Sequence, residues 1–292
     1  MRPESDAPGP AGGGCALCGA PMDPHFTKRG WRFVRCTRCG LVSLAPIPDP
    51  AAIGDHHEAS YRDGRYAAFA AADEIRAGIA RDRLARVRPL APDGPWLDVG
   101  CSTGAFLAVA AGGGLDVEGI DVSDAAVAEA RRRGLAARQV PVEAFTPRRR
   151  YAVVTAFDVV EHLPDPAAFV SRVAGWLAPG GLLALTLPDV TSPTARLLGR
   201  YWFFCAPPDH IHYFSPTTVR HLLMQGGIED VSVRPIWKPL TLAYAAAHLA
   251  TNEARIARAA GIILHALPRA WGARPLSLPL GEMFVTGRSG RA

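Results

Sequence analysis

Four cysteines near the start of the chain have the residue type and spacing of a metal site. Cys15 and Cys18 form one CxxC pair and Cys36 and Cys39 form a second, with seventeen residues between the pairs. Two such pairs can present four thiolates at the corners of a tetrahedron, which is the geometry that Zn²⁺ prefers. Because the protein would fill all four coordination positions, we expect a structural zinc site rather than a catalytic one.

A glycine turn in the middle of the chain has the spacing of a nucleoside site. The pattern is Asp98-x-Gly100-x-Ser102-x-Gly104, directly after a predicted buried strand. A dinucleotide fingerprint would have glycine in place of Ser102. The next predicted strand ends in Asp121, whose carboxylate can accept hydrogen bonds from both ribose hydroxyls. The combination favours an adenosine ligand that carries no pyrophosphate.

Acidic and imidazole side chains follow a later predicted strand in the stretch "FDVVEHLPD". Asp158, Glu161 and His162 come at one turn, where two carboxylates and an imidazole could hold a divalent cation such as Mg²⁺. Such a cation would lower the pKa of an acceptor hydroxyl and orient it. The alternative is that Asp158 contacts the cofactor and that His162 packs against the fold at the wall of the active site.

A second pair of candidate histidines lies in "CAPPDHIHYFSP". An extended His-x-His segment directs both imidazoles, His210 and His212, to the same side. They could then act as a base or as a clamp on the substrate. The alternative is a loop whose histidines hydrogen-bond to the fold.

Alternating strand and helix patterns must position these residues. From Trp96 onward, short apolar runs alternate with helical patterns, which predicts an α/β fold with a doubly wound parallel sheet and helices on both faces. Ligands of such sheets bind at the carboxyl ends of the strands. The predicted organisation is a disordered leader (1–12), a zinc ribbon (13–46), a linker with lid helices (47–92), and an α/β domain (93–292) with a helical insertion at about 238–268.

Composition restricts the class of protein and its partners. The chain has 292 residues, 49% of them hydrophobic, and a formal charge of +5 that is carried mainly by arginine. This balance permits an anionic ligand but does not by itself indicate nucleic acid. The leader is polar and no apolar stretch reaches the roughly 20 residues of a membrane span, so we expect a cytoplasmic protein without a transmembrane segment. Cysteines in that compartment favour metal binding over disulfides.

An ordered set of motifs resembles one enzyme family. The stretches "LDVGCSTGAFL", "GIDVS", "FDVVEHLPDP" and "LAPGGLLALTLP" are similar, in order and spacing, to class I S-adenosylmethionine-dependent methyltransferases, over roughly Trp96 to Gly227. The ribbon followed by such a domain resembles a bacterial group of zinc-ribbon methyltransferases. The turn that contains Glu161 and His162 is similar to the ubiquinone-pathway O-methyltransferases, in which such residues are linked to a metal.

The resemblance implies a Rossmann-like domain and a role for each motif residue. Gly100 and Gly104 would hold the methionine part of S-adenosyl-L-methionine, and Asp98 would support that loop and the amino group. Pro141 stands where the family commonly has an acidic residue, so backbone groups would then contact the adenine. The implied cofactor-binding residues are Asp98, Gly100, Ser102, Gly104, Asp121, Glu143, Phe145 and Asp158, and the candidate catalytic residues are Glu161, His162, His210 and His212.

The predicted function is methyl transfer from S-adenosyl-L-methionine to a small molecule, at a hydroxyl oxygen. A first alternative is an rRNA base methyltransferase, because Lys28 and several arginines give the ribbon a basic side. A second is a zinc-ribbon interaction module fused to an inactive cofactor-binding domain. The insertion at 238–268 could form the face of a homodimer, cover the pocket or lie on a membrane; an extra packed helix is the simpler interpretation.

Overall fold

The computed structural model describes residues 14–49, 53, 73–241 and 275–290. The predicted leader (1–12) and most of the predicted insertion (238–268) lie outside the described residues. The described chain forms two sheets. Four strands make the smaller sheet and seven make the larger one.

The smaller sheet joins the N-terminal ribbon to a later part of the chain. Strands β1 (Met22–Lys28), β2 (Trp31–Cys36) and β3 (Val42–Ala45) form an antiparallel meander, with β2 at its centre. The fourth strand, β9 (His212–Tyr213), pairs antiparallel with β3, although about 170 residues separate them along the chain. The ribbon therefore shares its sheet with the segment that carries the later histidines.

The larger sheet is mixed, whereas the alternation pattern predicted a parallel one. Five strands run parallel and the antiparallel strands β10 and β11 form one edge, in the order β10-β11-β8-β7-β4-β5-β6. The strands are β4 (Trp96–Val99), β5 (Val117–Asp121), β6 (Ala137–Gln139), β7 (Tyr151–Phe157), β8 (Leu177–Pro188), β10 (Ile228–Thr241) and β11 (Pro275–Ser289).

Helices cover both faces of this sheet, as the alternation predicted. They are α1 (Asp73–Val87), α2 (Ala105–Gly112), α3 (Asp124–Arg132), α4 (Pro166–Trp176), α5 (Pro193–Leu198) and α6 (Pro216–Gln225). Local caps begin four of them: the side chains of Ser123, Asp165, Ser192 and Ser215 each accept a hydrogen bond from a backbone amide in the first turn. Among the described helices, none is both long and apolar enough to cross a bilayer.

One helix ends earlier than its pattern predicted. The sequence from Asp165 to Gly181 predicts one helix, but α4 ends at Trp176 and the strand β8 begins at Leu177. Pro179 cannot donate to an intrahelical bond, and Gly180 adopts a φ of 72°. The core then continues along β7 and β8, whose central residues are almost completely buried.

The first described helix turns two arginines inward. Its buried face contains Arg76, Ala80 and Val87, and the Arg83 side chain is 17% exposed. These four positions recur every three or four residues, so they share one side of α1. The helical pattern of the sequence predicts an apolar stripe of Ile75, Ile79 and Leu84 among arginines and acids, and it does not indicate which way the arginines face. The arginines instead face the carboxyl ends of the parallel strands, where the candidate site lies.

Candidate functional site

The glycine turn after β4 requires glycine for two separate reasons. Gly100 and Gly104 have φ values of 71° and 82°, in the left-handed region that favours glycine. A Cβ atom at Gly100 would lie 2.5 Å from Val159 Cγ2, and one at Gly104 would lie 2.3 Å from Leu135 Cδ1. The turn therefore has neither the conformation nor the space for larger residues.

Asp121 ties this turn to the end of the neighbouring strand. Its Oδ2 atom accepts a hydrogen bond from the Ser102 amide at 2.8 Å, and its Oδ1 atom accepts one from the Ser123 amide at 2.9 Å. A carboxylate offers about four acceptor positions, which is more than these two amides occupy. The amides also hold the carboxylate in one orientation at the end of β5.

Asp98 lies beneath the turn and is almost completely buried. Its Oδ1 atom accepts a hydrogen bond from the Thr155 hydroxyl at 2.6 Å. Burial raises the pKa of Asp98 to about 7, against the opposing effects of the Thr155 bond and the Arg83 charge. Its carboxyl group is therefore partly protonated near neutral pH, and a cationic group bound beside it would favour the ionised form.

The two inward arginines of α1 were missed by reasoning from the sequence. Arg76 is buried and donates to the hydroxyl of Thr103 in the glycine turn. Arg83 Nη2 lies 2.5 Å from Asp158 Oδ2 and 3.0 Å from the Thr186 hydroxyl. The signal that could have revealed them is their spacing: they share a helix face with Ala80 and Val87, which the α/β core buries.

Asp158 is held by this ion pair in a conformation that few residues adopt. Its φ is 57°, and its Oδ1 atom accepts a hydrogen bond from the Thr186 hydroxyl at 3.0 Å. Left-handed backbone at a residue other than glycine costs free energy and recurs at functional sites. Asp158 therefore points toward Arg83, away from the Glu161–His162 turn with which its sequence spacing had grouped it.

Glu161, His162 and His210 come together. Their candidate ligand atoms all lie within 4.8 Å of one another. His162 Nδ1 lies 2.6 Å from the backbone oxygen of Asp209, so in neutral His162 the proton sits on Nδ1 and the lone pair on Nε2. The rings of His162 and His210 meet edge to face with centroids 4.7 Å apart. The arrangement provides an oriented imidazole base beside a buried carboxyl group.

His212 lies apart from this cluster. Its Nδ1 atom is 2.8 Å from the Ser43 hydroxyl on β3, and its Nε2 atom is 3.3 Å from the backbone oxygen of Pro164. Burial lowers the pKa of His212 to about 4, so it is neutral at physiological pH. The two histidines of the His-x-His segment thus have different neighbours, because the short strand β9 begins only at His212.

Burial of His212 predicts a specific loss of stability in acid. The pKa of His212 is about 4 in the folded state against 6.5 for an exposed histidine. The contribution of His212 to the unfolding free energy is therefore complete above pH 6.5 and is lost as the pH drops toward 4. At pH 5 the expected loss is about 2 kcal/mol of unfolding free energy. Denaturant unfolding at pH 7.5 and pH 5 should show that loss in the wild type and a smaller one in His212→Gln. The matched change His221→Gln on α6 should keep the full loss, and equal losses in all three proteins would contradict the assignment.

The residues proposed to border the adenine occupy two different environments. The Phe145 ring is buried edge-on against Trp176 at 5.1 Å, and the Arg138 guanidinium lies 4.7 Å from the ring centre. Glu143 is exposed. Glu143 therefore faces solvent close to the end of β6, whereas the Phe145 side chain supports the core under that edge.

The four ribbon cysteines fit a zinc ion. The Sγ atoms of Cys15 and Cys39 lie 3.5 Å apart and those of Cys18 and Cys36 lie 3.4 Å apart. Tetrahedral zinc with bonds of about 2.3 Å separates its sulfur ligands by about 3.8 Å. Gly19 and Gly40, which directly follow the two pairs, both have a positive φ, and glycine adopts this conformation in a tight turn without steric cost.

The basic residues of the ribbon do not all face solvent. Lys28 is buried, and its Nζ atom donates to the backbone oxygen of Cys205 at 2.6 Å. Arg38 donates to the backbone oxygen of Cys18 within the knuckle. These cations stabilise the protein's own carbonyl groups, which weakens the interpretation of the ribbon as a nucleic-acid surface.

Comparisons of the sequence identify related proteins. A family model described as a methyltransferase domain matches residues 72–233, more than half of the 292 residues. The chain is 40% identical over 134 residues to trans-aconitate 2-methyltransferase of Methylobacterium nodulans, covering 44% of this chain and 51% of that protein. It is 29% identical over 163 residues to ubiquinone biosynthesis O-methyltransferase of Bordetella avium, covering 51% of this chain and 68% of that protein. The chain thus spans about half the length of the first relative.

Comparisons of the structure agree with the sheet topology. A SAM-dependent methyltransferase from Archaeoglobus fulgidus has a TM-score of 0.52 and 18% identity, covering 76% of this chain and 99% of that one. A second, from Thermotoga maritima, has a TM-score of 0.51 and 16% identity, covering 77% and 97%. At these identities the likeness establishes the fold alone. The predicted Rossmann-like fold class is confirmed.

Proposed function

The chain belongs to the family of methyltransferase domains, and on that premise we propose that it transfers the methyl group of S-adenosyl-L-methionine to a hydroxyl oxygen of a small molecule. The observation that carries the proposal is the juxtaposition at one sheet edge of a nucleoside cradle, built on Gly100 and Asp121, and an oriented imidazole, His162. Carboxyl ends of parallel strands are where such sheets bind ligands.

The ends of β4 and β5 would hold the cofactor. Asp121 would accept hydrogen bonds from its ribose hydroxyls, and the backbone of Gly100, Ser102 and Gly104 would hold its methionine part. Glu143 and the chain near Phe145 border the adenine. The sulfonium already activates the methyl carbon, so the protein's contribution is to align the acceptor and exclude water.

The charged ends of the methionine part have partners of opposite sign in this cradle. The buried Asp98 would face the α-ammonium group, and Arg76, which already donates to Thr103 in the turn, would face the α-carboxylate. Asp158 borders the same space, in its ion pair with Arg83. The two arginines supply the cations that no residue of the glycine turn provides.

The raised pKa of Asp98 predicts that binding of the cofactor releases a proton below neutral pH. With a pKa of about 7, Asp98 is mostly protonated at pH 6 and ionised at pH 8, and a bound ammonium group requires the ionised form. S-adenosylhomocysteine should therefore release close to one proton per site at pH 6 and almost none at pH 8. Calorimetry in two buffers of different ionisation enthalpy measures this number. Asp98→Asn should release none, and equal release by the variant and the wild type would contradict the assignment.

The imidazole of His162 removes the acceptor proton in this mechanism. The Asp209 carbonyl fixes the proton on Nδ1, so Nε2 would receive the hydroxyl proton as the oxygen bonds to the methyl carbon. The bond between that carbon and the sulfonium sulfur breaks in the same step, and S-adenosylhomocysteine leaves. His210 packs against the ring, and the buried Glu161 lies within reach of the imidazolium that forms. His212 supports the segment that carries His210, through its contact with Ser43.

The donor set beside His162 does not fit Mg²⁺. Mg²⁺ prefers an octahedron of oxygen ligands, whereas the group in this structure has one carboxylate and two imidazoles. Asp158, the second carboxylate expected from the sequence, is paired with Arg83. We therefore derive no step through Mg²⁺.

Transfer of a labelled methyl group tests the proposed function. The zinc-loaded protein is incubated with S-adenosylmethionine labelled in the methyl group and with separate fractions of small metabolites and RNA from bacterial cells. The expected result is label in a small molecule, in which carbon–proton correlation spectra identify an O-methyl group, and no label with Asp121→Ala. Label in RNA alone would establish the nucleic-acid alternative. Cofactor binding without transfer to any fraction would support the interaction module.

A further inference from the structure

The ribbon contacts both ends of the chain segment that carries His210. His210 and the neighbouring His162 are called the acceptor-side histidines below. This segment, Cys205–Tyr213, is called the histidine segment below. It contains His210 and the Asp209 carbonyl that lies against His162. Its position decides how the two imidazoles meet, so whatever fixes its ends also fixes the proposed base.

Lys28 holds the first end. This residue ends β1, is 7% exposed, and donates from Nζ to the Cys205 backbone oxygen at 2.6 Å. Burying an ammonium group costs free energy unless the group is hydrogen-bonded, so breaking the contact between Lys28 and Cys205 is unfavourable. Cys205 is itself buried in a cluster with Trp31 and Phe33 of β2.

Strand β3 holds the second end. Val42 and Ser43 pair with Tyr213 and His212, and the Leu44 amide donates to the Ile211 backbone oxygen at 2.9 Å. The amide of the same Ile211 donates to the Glu161 backbone oxygen at 2.8 Å. One residue thus links the ribbon strand to the turn that contains His162.

The zinc knuckle determines where β3 lies. Cys36 ends β2, and its amide donates to the Leu41 backbone oxygen at 2.8 Å, immediately before β3 begins at Val42. The turn Cys36–Cys39 therefore determines where β3 lies beside its antiparallel neighbour β2. Metal binding at such knuckles is coupled to their folding.

The hydrogen bonds that orient Asp98 and Asp121 come from the larger sheet, although Cys36 and Leu41 of the ribbon pack in one hydrophobic cluster with Val99 and Ile120 of that sheet. Asp98 bonds to Thr155, and Asp121 bonds to the amides of Ser102 and Ser123. All of these lie on the larger sheet and its turns. A change in the ribbon can therefore alter the histidines while the nucleoside cradle persists.

We infer that the zinc ribbon is a positioning device for the acceptor-side histidines, so that zinc at Cys15, Cys18, Cys36 and Cys39 sets the rate of methyl transfer without setting cofactor affinity. The inference rests on the proposed function for its kinetic consequence. Lys28 and Ser43 are the positioning residues, because they join the ribbon to the two ends of the histidine segment.

The test compares Lys28→Met and Ser43→Ala with the adjacent exposed change Arg29→Met, all in the zinc-loaded full chain. Lys28→Met keeps the length of the side chain and removes its donor. We expect kcat to fall at least about tenfold in the first two variants, with the dissociation constant of S-adenosylhomocysteine within twofold of wild type. Arg29→Met should leave both values unchanged.

A second readout needs no acceptor, and so separates this inference from the proposed function. Histidine labelled with ¹³C at Cε1 gives imidazole signals that His162→Gln and His210→Gln assign. Both signals should shift in Lys28→Met and on removal of zinc by a chelator, while the signal of His221 on α6 stays in place. Unchanged His162 and His210 signals in folded zinc-free protein and in Lys28→Met would overturn the inference. So would a loss of cofactor affinity equal to the loss of kcat.

Discussion

Replacing Asp121 with alanine is expected to weaken binding of S-adenosylhomocysteine by at least about a hundredfold. In the proposed complex its carboxylate accepts two ribose hydroxyls, and hydrogen bonds to a charged group contribute about 1.5–3 kcal/mol each. The loss of both therefore costs about 3 kcal/mol or more, which corresponds to a factor of about 100 or more in affinity. The variant also releases the Ser102 amide that the carboxylate now holds. Isothermal calorimetry on folded protein measures the change.

Asp124→Asn provides the matched control for Asp121. Asp124 is an exposed carboxylate in the first turn of α3, three residues farther along the chain. Its removal should change the affinity less than twofold. If Asp121→Ala bound S-adenosylhomocysteine within threefold of wild type and melted at a similar temperature, the carboxylate would not be a ribose ligand.

Replacing His162 with glutamine is expected to lower kcat by about two to three orders of magnitude. General-base catalysis by a positioned side chain contributes about a hundredfold to ten-thousandfold, and His162 is the imidazole whose tautomer the Asp209 carbonyl fixes. Affinity for S-adenosylhomocysteine should stay within twofold, because the cradle at Asp98 and Asp121 is unchanged. Single-turnover transfer of labelled methyl groups, with the acceptor identified from metabolite fractions, measures the step directly.

His221→Gln on α6 is the control for this prediction, and it should retain full activity. Added imidazole should restore part of the rate of His162→Gln. A kcat within threefold of wild type would contradict the role of His162 as a base. That outcome would favour an acceptor that is already ionised at neutral pH, such as a carboxylate, for which no proton must be removed.

Features that depend on short stretches of chain were predictable from the sequence. The spacing of Cys15, Cys18, Cys36 and Cys39 anticipated a four-thiolate cluster, since each pair is local and a knuckle turn has few alternative geometries. The same holds for the turn at Gly100 and Gly104, where positive φ is needed within a few residues of a buried strand. Alternating strand and helix patterns anticipated the doubly wound sheet.

Contacts between distant segments were not predictable in the same way. The sequence does not distinguish Arg76 and Arg83 from the other arginines of α1, and only the partner groups Thr103 and Asp158 explain why the helix turns them inward. The pairing of β3 with β9 joins residues about 170 positions apart. The hydrophobic periodicity of a sequence is local, so it does not predict a pairing that depends on the tertiary fold of the whole chain.

His162 was predictable from its local sequence, whereas the contacts of His212 depend on a distant segment. The order Glu161-His162 after a strand indicated the wall of a site, and the structure brings both residues to His210. The pattern His-x-His suggested two imidazoles on one side, but the strand begins only at His212, and this residue turns to Ser43. Asp158, close in sequence to His162, bonds to Arg83 because its left-handed backbone directs the carboxylate elsewhere.

A crystal structure of the zinc-loaded protein grown with saturating S-adenosylhomocysteine tests the central claim most directly. We predict the ligand across the ends of β4 and β5, with both ribose oxygens within hydrogen-bond distance of Asp121 and the amino-acid part against Gly100 and Asp98. The sulfur should point toward His162. An empty crevice at saturating ligand, or a ligand bound elsewhere on the chain, would contradict the account.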